Sequence, residues 1–302
     1  MRQLSRHPLG STANGEMNMN NCVIRRFTIV LWILFQGFII LPAQRAIPED
    51  NLAYPVLIEI SGRIPASGVF INDTTKTFLV TAKHVFLDSL DKPWAPTALL
   101  TAYPPDTKSY ERTKMIIDLN FAIKTHALLI HPKQDIVAVQ IGTADSSYIY
   151  YSPHIKLIEN AAKGIVGARK KTTKTYEETL IGNEIFIMGY PSALGINQEK
   201  KQFDYTRPLL RKGIVAGKYD SLKTIILDCP VYYGNSGSPV IQVDRSILET
   251  KYALVGIVIE FVPFDERFAN EKFGLGLPFW SNSGYSVAVP IESALELISK
   301  KP

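Results

Sequence analysis

The chain is poor in cysteine and histidine. Its 302 residues hold two cysteines, Cys22 and Cys229, and five histidines, His7, His84, His126, His131 and His154. If the N-terminal segment is removed, Cys229 stands alone and no intrachain disulfide can form. The fold must then be held by its core, and a chain of this length with ordinary apolar content can bury a large one. No His, Cys and carboxylate residues cluster at ligand spacing, which argues against a metal site or any other cofactor. The net charge of +5 is moderate and sits partly in the N-terminal tail, so it implies no acidic partner. The basic stretch Arg169-Lys170-Lys171 with Lys174 has no aromatic platform beside it. It reads as a solvated loop rather than a nucleic-acid site.

No apolar run reaches the roughly 20 residues of a full membrane span. The longest, Phe27 to Leu41, follows Arg25-Arg26 and precedes Pro42-Ala43. A positive flank, a short apolar stretch and a small residue suit an export signal cleaved after Ala43, with translation starting at Met17 or Met19. Export to a periplasm or medium is favoured over the alternative, an uncleaved membrane anchor. Residues 1–46 are thus read as tail and signal or anchor.

What the chain does have is Gly234-Asn235-Ser236-Gly237-Ser238-Pro239, after the apolar stretch Thr224-Ile225-Ile226-Leu227. A serine hydroxyl is a poor nucleophile unless a base takes its proton and N–H groups stabilise the oxyanion. Glycines on both sides let the backbone turn sharply enough to aim such groups. All five histidines precede Ser236, which excludes the chain order Ser, acid, His of the α/β-hydrolases and leaves His, Asp, Ser open. His84 ends the strand-like Phe78-Leu79-Val80-Thr81-Ala82-Lys83, and Asp135 opens Ile136-Val137-Ala138-Val139. Both stand at the rim of a packed scaffold, where an Asp can hold a His tautomer. His131 precedes a Pro in the loop before Asp135 and reads as structural. Asp228 is the alternative acid, but it lies on the same segment as Ser236 and reads as scaffold.

Thr81-Ala82-Lys83-His84, Asp135-Ile136-Val137-Ala138 and the run around Ser236 resemble, in order, the three motifs of chymotrypsin/trypsin-like serine proteases. The nearest resemblance is to their bacterial and organellar, high-temperature-requirement branch. Ser67-Gly68-Val69-Phe70-Ile71, Met188-Gly189-Tyr190-Pro191, Gly213-Ile214-Val215, Gly256-Ile257-Val258 and Gly284-Tyr285-Ser286-Val287-Ala288-Val289-Pro290 resemble further strands and turns of that branch. The resemblance implies two six-stranded β-barrels, residues 47–165 and 166–302, with the site in the cleft between them. It implies His84 as base, Asp135 as its orienting acid and Ser236 as nucleophile, with the N–H groups of Gly234 and Ser236 as oxyanion hole. It implies a substrate pocket with Pro230 as floor and walls that include Val231, Tyr233, Ile259 and Glu260. The floor is not acidic, so an apolar P1 residue is expected, although Glu260 could alter this. Val85 stands where disulfide-rich animal relatives carry a Cys, and the short stretch after Pro290 leaves no room for a PDZ domain. Asn235 replaces the Asp that pairs with a freed α-amine in zymogen-activated relatives, so activity independent of such cleavage is expected.

Abundant proline, glycine and short β-branched runs also favour an all-β fold. Strands are expected at 55–61, 67–72, 77–82, 127–130, 136–141, 184–189, 213–217, 223–227, 239–243, 253–261 and 285–289. A short C-terminal helix follows from the spacing of Ile291, Leu295 and Ile298. The aromatic-rich stretch 261–284 reads either as a packed surface loop or as a lid or partner patch. Three functions stay open: a serine endopeptidase acting on polypeptides, an esterase with the same triad, and a non-proteolytic binding module anchored at a membrane.

Overall fold

The computed structural model describes residues 47–104, 111–144, 149–161, 165–192, 204, 207–270 and 275–299, without the side chains of 49, 267–270 and 275–278. The export signal read at 27–41 and Cys22 lie outside the described residues.

The chain is all-β with short helices, as its turn-rich sequence implies. The first sheet is built from β1 (Pro55–Glu59), β2 (Ala66–Asp73), β3 (Lys76–Thr81), β4 (Thr97–Ala102), β5 (Thr113–Asp118), β6 (Leu128–Ile130), β7 (Val137–Ala144), β8 (Ile149–Tyr151), β9 (Ile155–Glu159) and β10 (Ala168–Arg169). Its strands run in the order β6-β7-β3-β2-β1-β4-β5-β9, with β8 on β7 and β10 parallel to β2. This is the first barrel expected from the sequence, but wider than six strands and not closed by hydrogen bonds among the described residues. The second unit contains β11 (Glu184–Gly189), β12 (Leu209–Tyr219), β13 (Thr224–Asp228), β14 (Pro239–Arg245), β15 (Thr250–Asn270) and β16 (Leu275–Pro290). These six close into a barrel in the order β11-β12-β13-β16-β15-β14.

Side chains of successive strand residues face opposite sides, so a strand that is apolar throughout needs two apolar surroundings. β2 and β3 are of this kind. Phe70 and Leu79 fill the core of the first sheet, while Val69, Ile71, Phe78 and Val80 face the other way. There they meet Phe186, Met188, Ile241 and Leu254 of the second barrel. The terminal helix Ile291–Ser299 buries Ile291, Ala294 and Ile298 in the same cluster. A third cluster, with Ile187, Val215, Leu227 and Val255, fills the second barrel. The middle cluster fixes one sheet against the other, so groups on the two can meet in a set geometry.

The described part of the stretch 261–284 is not a loop. Beyond the barrel β15 and β16 continue as a two-stranded ribbon, paired from Pro263↔Asn282 to Asn270↔Leu275. Phe264, Phe279 and Trp280 are exposed on it. The side chain of Phe268 and all of Phe273 lie outside the described residues.

Candidate active site

β3 and β7 are antiparallel neighbours, with Thr81 opposite Val137. The chain leaving β3 therefore passes the chain entering β7. His84 sits three residues beyond Thr81, in the helical turn Lys83–Phe86, and Asp135 two residues before Val137. The buried Val85 and Phe86 anchor that turn in the first core. The backbone N–H of His84 donates to Asp135 Oδ1 at 3.0 Å, and its Nδ1 lies 2.6 Å from Asp135 Oδ2. On the other side of the ring, Nε2 lies 2.9 Å from the Oγ of Ser236, in the turn before β14. The three side chains singled out in the sequence thus meet in one hydrogen-bonded chain. A carboxylate on Nδ1 fixes that nitrogen as the N–H, which leaves Nε2 free to accept from the serine. Burial pushes the Asp135 carboxyl up, but the ring and backbone bonds from His84 outweigh it and hold the group below its ordinary value.

The loop before Ser236 is pinned peptide by peptide. The Tyr233 carbonyl accepts from Ser192 N–H at 2.6 Å, and the Asn235 carbonyl from Ser238 N–H at 2.9 Å. In a trans peptide the N–H points opposite the C=O. Holding those two carbonyls away therefore turns the N–H groups of Gly234 and Ser236 to the other side, and neither has a hydrogen-bond partner among the described residues. The peptide between them is held the other way. Its Gly234 carbonyl accepts from Ser67 Oγ at 2.7 Å, and its Asn235 N–H donates to the Tyr232 carbonyl at 2.9 Å. Two donors unpaired among the described residues, flanking a hydroxyl that is hydrogen-bonded to an imidazole, are groups of the kind an oxyanion hole uses. The conformation depends on glycine. Gly234 has φ +96°, and a Cβ there would meet the Tyr190 carbonyl oxygen at 2.2 Å. Gly237 has φ +87°, and a Cβ would meet the Ser67 carbonyl oxygen at 1.9 Å.

Asn235 is buried and uses its side chain within its own loop, where Oδ1 accepts from Tyr232 N–H at 3.0 Å. The other described histidines stand apart. His131 Nδ1 accepts from the N–H groups of Lys133 and Gln134, shaping the turn that delivers Asp135. His154 is buried with Nε2 2.7 Å from the Gln140 carbonyl oxygen. Cys229 is packed in the second barrel, where burial raises its thiol to about 11. It is neither exposed nor ionised at neutral pH.

A cavity of about 490 Å³ runs along the cleft past His84 and Ser236. Of the expected pocket residues, Val231, Tyr233, Ile259 and Glu260 line it, and Pro230 does not. Phe261 stands against Tyr233 edge-on, ring centroids 5.8 Å apart. From the first sheet the cavity takes Ile58, Ile60 and the turn Gly62–Pro65. Sequence reading missed this turn, and also Trp94, whose Nε1–H donates to the His84 carbonyl at 2.9 Å. It missed the role of Ser67 as well, although the motif around that residue was visible.

Residues 66–248 match the family model described as the trypsin-like peptidase domain. No curated protein sequence matches the chain. Among solved structures it is similar to the HtrA-type protease AlgW with a tripeptide, at 15% identity and TM-score 0.46, over 82% of this chain and 60% of that one. It is also similar to Deg5, at 15% identity and TM-score 0.46, over 82% of this chain and 88% of that one. A third is the thermostable serine protease AL20 from an extremophilic microorganism, at 12% identity and TM-score 0.47, over 82% and 95%. The chain thus spans less than two thirds of AlgW. The family-model match, which covers more than half of the sequence, shows that the chain belongs to the trypsin-like peptidase family.

Proposed function

We propose that the chain is a serine endopeptidase that cleaves polypeptides through an acyl-enzyme, with Ser236 as nucleophile, His84 as general base and acid, and Asp135 as its orienting carboxylate. The observation that carries this reading is the pair of hydrogen bonds running from Asp135 through His84 to Ser236 Oγ. In the first step Ser236 Oγ bonds to the carbonyl carbon while its proton passes to His84 Nε2. The resulting oxyanion lies against the N–H groups of Gly234 and Ser236. Collapse of the tetrahedral intermediate breaks the C–N bond, and His84 gives its proton to the departing amine. Water then repeats the sequence on the ester and restores the serine. Asp135 stabilises the imidazolium formed each time.

The walls of the cleft support an apolar residue before the scissile bond. Val231, Val258, Ile259, Phe261 and Tyr233 line the side formed by the second barrel, and the one carboxylate there among the described residues, Glu260, is exposed. The apolar segment at 27–41 supports export, cleaved or anchored. N-terminal sequencing of chain recovered from outside the cytoplasm tests that, and a chain retained inside with its N-terminus intact refutes it.

The test of activity is a fluorophosphonate probe on the full-length chain beside Ser236→Ala and His84→Ala. Labelling of the natural chain and none of either variant is expected, together with cleavage of an unfolded protein. A folded chain that stays unlabelled refutes the reading.

A further inference from the structure

The turn between β1 and β2 brings a cation to the cleft. Arg63 N–H closes the turn on the Ile60 carbonyl at 3.0 Å, and the Arg63 side chain lines the cavity with His84 and Ser236. Its guanidinium lies over the Trp94 ring, 4.0 Å from the centroid. Trp94 is itself fixed to the candidate base, because its Nε1–H donates to the His84 carbonyl. A guanidinium on an aromatic face keeps its edge N–H groups free for a carboxylate, which it can hold bidentately. Among the described residues no carboxylate is paired with Arg63, whereas Arg112, Arg207 and Arg245 each have one.

The direction of the reaction says which part of a substrate meets this group. His84 must reach the amine that departs, so the departing strand begins at His84 and continues along the first sheet. Ser67 N–H donates to the Ser236 carbonyl at 2.9 Å, which sets the start of β2 beside the nucleophile. Arg63 is four residues earlier, at most ~13 Å away along an extended chain. That bound takes in the first three residues after the scissile bond. The cleft's other exposed charge, Glu260, stands on β15 of the second barrel, the side of the acyl portion.

We propose that Arg63, braced on Trp94, is a subsite for a carboxylate on the departing fragment, carried by an acidic side chain one to three residues after the cleaved bond or by a nearby free C-terminus. This rests on the endopeptidase reading above and adds its specificity.

The experiment exposes the full-length chain and its Arg63→Gln variant to a peptide library with all residue types at every position. The library is prepared once with free C-termini and once amidated, and cleavage sites are read by mass spectrometry. In the natural chain, enrichment of Asp and Glu over Asn and Gln by about three- to tenfold is expected at one of the three positions. It should collapse toward unity in Arg63→Gln, while fluorophosphonate labelling and cleavage before neutral residues persist. Enrichment of sites near free C-termini alone, lost on amidation and in the variant, assigns the subsite to the terminal carboxylate. Cleavage with no acidic or C-terminal enrichment, or with enrichment that survives Arg63→Gln, overturns the subsite and leaves the endopeptidase reading standing. A chain that neither labels nor cleaves overturns both.

Discussion

Ser67→Ala tests whether the site is held across the cleft by one hydroxyl. Ser67 belongs to β2 of the first sheet and has no solvent exposure. Its Oγ donates to the Gly234 carbonyl at 2.7 Å and accepts from Tyr190 N–H at 3.0 Å. Both partners belong to the second barrel. The Thr81 hydroxyl donates to the Ser67 carbonyl at 2.7 Å, so Ser67 is held on its own side too. Removing Oγ strands one buried C=O and one buried N–H. At about 1–3 kcal/mol for each unsatisfied group, and with partial relaxation, the variant should lose about 2–4 kcal/mol of stability.

The same change should slow the reaction. The Gly234–Asn235 peptide lies between the two candidate oxyanion donors. Left with only the Asn235 N–H bond to the Tyr232 carbonyl, it can shift and misalign the donors on either side of it. Complete loss of such a donor costs about 100- to 1000-fold, so partial misplacement should lower kcat by about 10- to 100-fold, with KM nearly unchanged. The assay is steady-state cleavage of a neutral peptide well below the variant's melting midpoint, beside denaturant unfolding of both chains. Unchanged kcat in the folded variant would refute the pinning argument. A matching rise in KM at constant kcat would show that Ser67 shapes the binding surface instead. A stability loss below about 0.5 kcal/mol would show that the two stranded groups find other partners.

Gly234→Ala should be worse for activity, since the new Cβ would press on the Tyr190 carbonyl and a left-handed φ would have to be kept. A fall in kcat of about 100-fold or more in a folded chain is expected by stopped-flow acylation. Asp135→Asn keeps the shape of the site but presents the wrong partner to His84 Nδ1, and about 10⁴-fold in kcat should be lost. Asp135 also sets an acid limit. Its folded-state value lies below the ordinary one, so its stabilisation is full above the ordinary carboxylate range and is lost as pH falls through the folded value. Melting midpoints from neutral pH down to pH about 3 should fall less steeply in Asp135→Asn than in the natural chain, and parallel curves would refute the linkage. Cys229→Ala should retain cleavage at a modest cost in stability, and thiol reagents should leave the folded natural chain active, because the thiol is buried and raised to about 11.

The parts of this fold that were legible in the sequence are strands apolar on both faces. Phe78-Leu79-Val80 and Ile136-Val137-Ala138-Val139 are continuous runs because each divides its residues between two cores, and those strands carry His84 and Asp135 at their ends. β4, β5 and β9 were missed for a physical reason. Thr97–Ala102 is built from Ala, Leu and Thr, and Ile155–Glu159 mixes Ile and Leu with Lys and Glu without strict alternation. These residues are as compatible with a helix as with a strand. What makes them strands is their neighbours: β4 lies between β1 and β5, and β9 on β5. The ribbon of β15 and β16 was hidden differently. Pro263 and Pro278 break its strand pattern, and a sequence cannot announce which partner restores it.

The site divides along the same line. His84, Asp135 and Ser236 could be read because each sits next to a strand end whose apolar pattern locates it. Gly234 and Gly237 could be read because only glycine tolerates the turn. The residues that hold and extend the site carry no such local mark. Ser67 is one more serine before a glycine until the second barrel brings the Gly234 carbonyl to it. Arg63 is one more surface arginine until Trp94 stands under it. Their roles depend on pairs of segments brought together by the middle core, so they become visible only with the fold. The two also differ in what failure would look like. Loss of Ser67 should act on every substrate, because the hole serves every scissile carbonyl. Loss of Arg63 should act only on substrates that place a carboxylate within its reach. Comparing Ser67→Ala with Arg63→Gln on one peptide library therefore separates the machinery of bond breaking from the recognition of the fragment that leaves.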